Sequence, residues 1–72
     1  MSWSNAQSFG VIKISGGGKR IDLYYSRDNY NSIYPNDEVK DVRWAGDAVV
    51  VYLVNGKIRR YTSFLNYLNI RV

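Results

Sequence analysis

Two residue types are missing from the 72-residue chain, which contains no cysteine and no histidine. Without cysteine, disulfides and zinc sites built on thiolates are excluded. Without histidine, the chain lacks the commonest metal ligand and the commonest general base at neutral pH. Catalysis would have to rest on Ser, Thr, Lys, Tyr or the acids, and no nucleophile–base pair is recognisable among these. We therefore expect a protein that is not an enzyme and that uses no cofactor and no metal ion.

Long apolar runs are also missing. No apolar segment approaches the ~20 residues that span a membrane, and the N-terminal residues show neither the basic nor the apolar region of a secretory signal. We expect no membrane partner and a cytoplasmic location. The length predicts one domain, residues 1–72, and a domain this small buries only about 60% of the surface exposed by its unfolded chain. Additional stability must then come from aromatic packing or from self-association.

The chain does contain many aromatic residues and an unevenly distributed positive charge. Seven tyrosines, two tryptophans and two phenylalanines can supply a dense core. All six acids lie between Asp22 and Asp47, whereas seven of the ten basic residues lie outside this segment. The acids show no calcium-loop spacing, which favours a solvated acidic edge. The basic residues favour an anionic partner if they meet on one face of the fold.

Two apolar segments near the N-terminus predict a β-hairpin. The strands Phe9–Ile14 and Arg20–Tyr25 flank the glycine-rich segment 15–19, which is typical of a hairpin turn and lacks the spacing of a phosphate-binding loop. A four-residue loop brings apolar residues opposite apolar ones and places two opposite charges together. The predicted cross-strand pairs are Ile14–Ile21, Ile12–Leu23 and Lys13–Asp22.

Two further segments lack a strand pattern. Residues 1–8 show no periodicity and predict an arm in which only Trp3 has a strong reason to be buried. Residues 27–37 are dense in Asn, Asp and Ser and predict a long surface connection. The apolar members of this connection, which can cover one end of the fold, are Tyr30, Ile33 and Tyr34.

The longest apolar run, Ala48–Val54, organises the rest of the chain. Gly46-Asp47 before it and Asn55-Gly56 after it predict two-residue hairpin turns, the second with positive φ at both positions. These turns join the run to strands at Glu38–Trp44 and 57–62 in a three-stranded meander. One face of the meander forms the core, with Val42, Trp44, Val49, Val51, Leu53 and Ile58.

The predicted register leaves Arg60 on this core face, where its charge is out of place. A β-bulge at Arg59–Arg60 would turn Arg60 outward and bring Tyr61 in. The cross-strand pairs that the register implies include Trp44–Val49, Val42–Val51, Lys40–Leu53, Leu53–Ile58, Val51–Arg60 and Val49–Thr62.

Two interpretations fit the tail that begins at Ser63. In the first, Ser63 caps a short helical turn and Ile70–Val72 adds a last short strand. In the second, one helix runs from Lys57, because the apolar residues here also follow helical spacing. We favour the first, since Asn-Gly after a β-branched run is the stronger local signal. The chain then resembles, in architecture, the small partly open all-β barrels of SH3-like or Sm-like type, with about five antiparallel strands and a short helical turn near the C-terminus.

The second face of the meander carries interleaved arginine and tyrosine residues. Tyrosine rings stack on unpaired bases and guanidinium groups neutralise phosphates, so this face predicts a non-catalytic module that binds single-stranded nucleic acid or RNA. Lys19 and Arg20, at the tip of the first hairpin, would extend the surface. The predicted contact residues are Lys19, Arg20, Arg43, Tyr52, Lys57, Arg59, Arg60 and Tyr61.

Two alternatives stay open for this face. The same residues suit ordinary cross-strand packing on the solvated side of a sheet. Tyr and Trp are also enriched at protein–protein contacts, and the exposed Val50 and Val54 fit a homo-oligomer, an adaptor or an inhibitor, such as a phage or mobile element would encode. A nucleic acid and a protein partner are about equally supported by the sequence.

Overall fold

A computed structural model describes residues 3–70 of the chain, which fold into one short helix and two antiparallel sheets. The sheets have the strand orders β1-β2-β3 and β4-β5-β6-β7. The predicted all-β fold is confirmed, with seven strands where about five were predicted. The elements are α1 (Trp3–Phe9), β1 (Val11–Ser15), β2 (Arg20–Tyr24), β3 (Tyr30–Ile33), β4 (Val39–Ala45), β5 (Ala48–Leu53), β6 (Ile58–Tyr61) and β7 (Tyr67–Ile70).

The first sheet contains the predicted hairpin and one strand that was not predicted. All three predicted pairs between β1 and β2 are confirmed. The long connection expected at 27–37 instead contains β3, which pairs antiparallel with β2 from Ile21–Ile33 to Tyr24–Tyr30. Asn and Ser are depleted in strands, so composition argued against β3. The fully buried side chain of Ile33 accounts for the pairing, because it places an apolar residue against the core.

The predicted N-terminal arm is wrong for residues 3–8, which form most of helix α1, and its residues 1–2 lie outside the described part. A helix of seven residues is too short to be stable alone, so its tertiary contacts must hold it. Trp3 Nε1 donates a hydrogen bond to the Asp47 carbonyl (2.6 Å), and Gln7 Nε2 donates to the Gly46 carbonyl (2.8 Å). Ala6, in the middle of the helix, is fully buried. Contacts with the β4–β5 turn therefore hold α1 in place, and a pattern of apolar residues, which residues 1–8 lack, was not available to predict it.

The hairpin between β5 and β6 differs from the prediction in the length of its loop. Its loop has three residues, with Gly56 N donating to Leu53 O (3.0 Å) and Leu53 N donating to Lys57 O (2.9 Å). Gly56 has a φ of 92°, whereas Asn55 is not among the positive-φ residues of the described part. This is the three-residue loop with a left-handed glycine rather than the two-residue turn. Asn55 Oδ1 accepts a hydrogen bond from Lys57 N (2.9 Å) and fixes the loop.

The additional loop residue shifts the register of β6 by one and so reverses its faces. Arg59 pairs with Val51 and Tyr61 with Val49, so both side chains point to the core side. Ile58, predicted as core, faces outward. Arg60 also faces outward, which is where the predicted β-bulge would have placed it. The cause, however, is the three-residue loop and not a bulge.

A second register change occurs at the start of β4. Val39 pairs with Leu53 and Asp41 with Tyr52, so Lys40 is bulged out between them. The predicted Lys40–Leu53 pair is therefore wrong. The bulge puts Val39 in the core, where it is 6% exposed.

The tail forms a strand and not a helical turn. Within residues 57–70 the structure contains no helix, so the predicted helical turn at Ser63 is wrong, and so is the alternative helix from Lys57. Ser63 Oγ accepts a hydrogen bond from Asn66 N (3.1 Å) and supports the turn before β7. β7 includes Ile70 but starts at Tyr67, and residues 71–72 of the predicted last strand lie outside the described part.

One core is shared by the helix and both sheets. The Gly18 carbonyl accepts a hydrogen bond from Val39 N (2.6 Å), which ties the first hairpin to β4. Trp3 packs edge-on against Trp44 and Phe64, with ring centroids 5.2 and 5.1 Å away. The buried cluster consists of Ala6, Ile21, Leu23, Ile33, Val39, Val49, Val51, Leu53 and Tyr61.

Gly56→Ala should lower the free energy of unfolding by about 1 kcal/mol, because a Cβ disfavours the left-handed backbone. Space is not the cause, since no atom lies within 4 Å of an added Cβ. Chemical denaturation measures the change, and Val54→Ala, an exposed position in the same loop, should be near neutral. An unchanged Gly56→Ala protein would mean that the loop is not the one described.

Candidate binding surfaces

The structure separates the eight predicted contact residues into three groups. Arg43, Tyr52 and Arg60 share the side of the four-stranded sheet that faces away from the core, here called the outer face, and Lys57 lies in the turn at its end. The second group, which turns toward the core, is Arg59 and Tyr61. The third, on the first sheet, is Lys19 and Arg20.

Arg59 is a structural residue. Its side chain is 11% exposed and forms an ion pair with Asp37 (Nη2 to Oδ2, 3.1 Å). Nη1 donates to the Pro35 carbonyl (2.6 Å), and Cζ lies 4.6 Å from the Tyr67 ring centroid. These contacts hold the segment between β3 and β4 against β6 and β7. The prediction that Arg59 lies on the exposed face is therefore wrong.

Tyr61 is buried, with 3% of its surface exposed. Its ring centroid is 5.0 Å from that of Tyr67. Burial raises the pKa of the Tyr61 hydroxyl, and the neighbouring Arg59 opposes this shift. The prediction that Tyr61 lies on the exposed face is therefore wrong, because the shifted register places its ring in the core.

Arg43 and Tyr52 form the one predicted arginine–tyrosine pair that stays on the outer face. Arg43 Nη2 donates to Tyr52 Oη (2.8 Å), and its Cζ lies 5.3 Å from the ring centroid. This hydrogen bond to Tyr52 raises the pKa of Arg43, which stays charged. A shallow cavity of about 260 Å³ beside the pair is lined by these two residues, Lys40 and Asp41.

Aliphatic residues dominate the remainder of the outer face. Four of these residues, Val50, Ile58, Leu68 and Ile70, are here called the apolar stripe. Val50 and Leu68 flank Arg60 in one row across β5, β6 and β7, and Ile58 and Ile70 follow Tyr52 in the next row. Leu68 is 68% exposed and Ile70 38%. On its far side β7 pairs with no strand of residues 3–70. The stripe therefore ends at an open edge.

The charge segregation of the sequence does not persist in the fold. Three basic residues form ion pairs with acids of the central segment: Arg20 with Asp22, Arg59 with Asp37, and Arg60 with Asp47. Among the basic residues that the structure describes outside the acidic segment, Arg20 lies on the first sheet and Arg59 and Arg60 point to opposite sides of the second, so they share no single face. Within residues 3–70 no group of three acidic side chains is close enough to hold a metal ion.

A second surface, missed by the sequence analysis, lies on the first sheet. Lys13, Arg20, Tyr24 and Tyr30, here called the tyrosine face, point away from the core across β1, β2 and β3. The Tyr24 and Tyr30 centroids are 5.1 Å apart. Lys13 Nζ lies 5.7 Å from the Tyr24 centroid and Arg20 Cζ 5.8 Å from that of Tyr30. The sequence analysis missed this face because it did not predict β3, the strand that brings Tyr30 beside Tyr24.

Asp22 lies beneath the tyrosine face and is 2% exposed. Its carboxylate accepts hydrogen bonds from Ser15 Oγ (2.9 Å), Ser32 Oγ (2.7 Å), and Arg20 Nε (2.9 Å) and Nη2 (3.2 Å). Burial raises the pKa of this carboxyl. The hydrogen bonds from Arg20, Ser32 and Ser15 together lower the pKa by more than burial raises it, so the net pKa is below its ordinary value. The network joins all three strands, whereas the sequence predicted an ion pair with Lys13.

Comparison with protein-family models, curated proteins and solved structures gives no match to this chain. The described residues include no helix long and apolar enough to cross a membrane. The expectations that the protein is not an enzyme and uses no cofactor stay predictions.

Proposed function

We propose that the protein is a non-catalytic interaction module that binds an extended segment of a partner protein along β7 and the apolar stripe. The observation that carries the proposal is an unpaired edge strand beside exposed aliphatic side chains. β7 has the sequence Tyr-Leu-Asn-Ile, without the charge or proline that usually protects an edge. Such an edge is a template for strand addition, in which main-chain hydrogen bonds supply affinity and alternate side chains supply specificity.

The composition of the outer face favours a protein over a nucleic acid at this surface. A base-stacking surface needs exposed aromatic rings, but Tyr61 is buried and Tyr52 is already bonded to Arg43. Ile58 lies opposite Tyr52 and Arg60 lies opposite Val50, the places where Arg59 and Tyr61 were predicted. Aliphatic side chains supply the apolar centre of a protein contact, and the polar groups of Arg43 and Tyr52 suit its solvent-accessible rim.

Charges around the apolar stripe indicate the chemistry of the partner segment. Arg43 and Lys57 are exposed, and Arg60 is held by a 3.7 Å contact to the exposed Asp47. Lys57 also lines a cavity of about 320 Å³ with Ile58 and Ile70 at the end of β6 and β7. A segment with alternating aliphatic residues and at least one acidic residue complements this surface.

Peptide display tests the proposal. Random peptides selected on the immobilised protein should converge on alternating aliphatic residues with an acid, and NMR shifts should concentrate on β6 and β7. Leu68→Lys should weaken binding of the selected peptides about tenfold or more, because it puts a charge at the centre of the contact. Val11→Lys, at a residue 42% exposed on the first sheet, is the matched control and should bind as the wild type does.

Light scattering shows whether the segment that binds along β7 comes from a second copy of this chain or from another protein. A dimer that Leu68→Lys dissociates would show that a second copy pairs with β7, as expected for a homo-oligomeric module. A strict monomer with no enriched peptide, or peptides whose shifts map to another surface, would refute the proposal.

We also propose that the two sheets together form a partly open barrel of SH3-like or Sm-like architecture. The hydrogen bond between Gly18 and Val39 and the shared core support it. A crystal structure in which β1 and β4 lie apart, with the sheets stacked as separate layers, would contradict this architecture.

A further inference from the structure

We infer that the tyrosine face binds single-stranded nucleic acid, with Tyr30 stacking on a base and Lys13 contacting a phosphate. The site is on the opposite sheet from the apolar stripe and does not depend on the protein-interaction proposal. It also differs from the surface that the sequence predicted for nucleic acid, since it shares only Arg20 and the adjoining Lys19 with that set.

The aromatic part of this surface is accessible and held in place. Tyr30 is 41% exposed although its ring lies beside Tyr24. Tyr34, just after β3, is 66% exposed. Because the rings of Tyr24 and Tyr30 are tilted by 44°, they offer separate faces to splayed bases rather than one flat surface. Base–aromatic stacking of this kind tolerates any sequence.

The charge of this surface complements a phosphate backbone. Asp22 is the only acid among the residues of β1, β2 and β3 that point to this side, and it is buried beneath the side chains that a ligand would meet. Arg20 donates hydrogen bonds from Nε and Nη2 to the Asp22 carboxylate, which fixes its guanidinium beside Tyr30. The third guanidinium nitrogen, Nη1, takes no part in this pair. Lys13 and Lys19 are exposed. A ligand therefore approaches cations and rings, with the compensating anion below them.

A single strand fits this arrangement better than a duplex does. In a duplex the base faces are stacked on one another, so the tyrosine rings would have nothing to stack on. Unpaired bases expose their faces, and their backbone remains free to reach the lysines. Duplex binding, if measured, would have to use charge alone.

Fluorescence anisotropy at low salt, with labelled oligo-dT, oligo-U and a duplex of the same length, tests the site on the full chain. We expect both single strands to bind more tightly than the duplex. Tyr30→Ala should weaken binding about tenfold or more, whereas Tyr30→Phe, which keeps the ring, should bind like the wild type. Lys13→Gln should reduce the slope of log affinity against log salt by about 0.7, the contribution of one phosphate contact.

Two matched controls locate the site. Tyr52→Ala and Lys57→Gln change the same residue types on the other sheet and should leave oligonucleotide affinity unchanged. A preference for oligo-U or for oligo-dT supports the inference in either case and identifies the nucleic acid. Absence of binding at low salt, equal or tighter binding of the duplex, or an equal loss with Tyr52→Ala would overturn it. Thermal melting confirms that each variant is folded.

Discussion

Replacement of Asp22 by alanine should lower the free energy of unfolding by about 3 kcal/mol, the lower end of the range for breaking a buried charged pair. The carboxylate accepts four hydrogen bonds from three strands while 2% exposed. Its loss leaves the Ser15 and Ser32 hydroxyls and the Arg20 guanidinium without their acceptor. The partly exposed Arg20 can regain water, which is why the lower end applies. Urea denaturation measures the change.

The same residue makes stability depend on pH. The pKa of Asp22 is lower in the folded protein than in the unfolded chain, because its hydrogen bonds outweigh burial. As the pH falls through about 4, the ordinary pKa of an aspartate, the unfolded chain therefore binds a proton at this residue more readily than the folded protein does. Stability due to Asp22 is complete above this pH and is lost below it. The stability difference between wild type and Asp22→Ala should accordingly narrow between pH 5 and pH 3.

Asp28→Ala is the control for this prediction. Asp28 is an exposed acid in the loop between β2 and β3, so its replacement changes net charge equally and should alter stability by less than about 0.5 kcal/mol. If both variants were equally stable at neutral pH, or if the pH dependence persisted unchanged in Asp22→Ala, the network would not stabilise the sheet.

Much of the fold could be predicted from local patterns, and the errors follow from contacts that are distant in sequence. The pairs Trp44–Val49 and Ile14–Ile21 were correct because a short loop and apolar alternation fix a register. β3 was missed because its Asn and Ser residues resemble a loop. Only the neighbouring β2 and the burial of Ile33 make it a strand.

The predicted site was partly wrong because the loop that contains Asn55 and Gly56 has one residue more than predicted. The sequence is compatible with a two-residue and a three-residue turn, and these differ in which face of β6 meets the core. Arg43 and Tyr52 were placed together correctly, since their strands are joined by the other turn. Arg59 and Tyr61 were misplaced because of this shift, which also turns Ile58 outward. The remainder of the apolar stripe was hidden because the tail was predicted as a helical turn and not as β7.

Arg59→Ala should destabilise the protein by about 2 kcal/mol and lower its melting temperature by about 10 °C. The substitution leaves the Pro35 carbonyl without its donor and removes the guanidinium from Asp37 and the Tyr67 ring. Arg59 Nε is buried without a hydrogen-bond partner within residues 3–70, so part of its desolvation is not compensated. Arg59→Met, which keeps an apolar stem, should therefore lose less stability than Arg59→Ala.

Arg60→Ala separates this effect from a simple loss of positive charge. Arg60 is the next residue of β6, and its side chain is 43% exposed beside an 82% exposed Asp47 at 3.7 Å. A pair this exposed contributes at most about 0.5 kcal/mol, so Arg60→Ala should melt near the wild-type temperature. The reverse order of stability, with Arg60→Ala unstable and Arg59→Ala unaffected, would mean that β6 follows the two-residue turn after all. Under that register Arg59 would return to the outer face beside Tyr52, and the apolar stripe would lose Ile58.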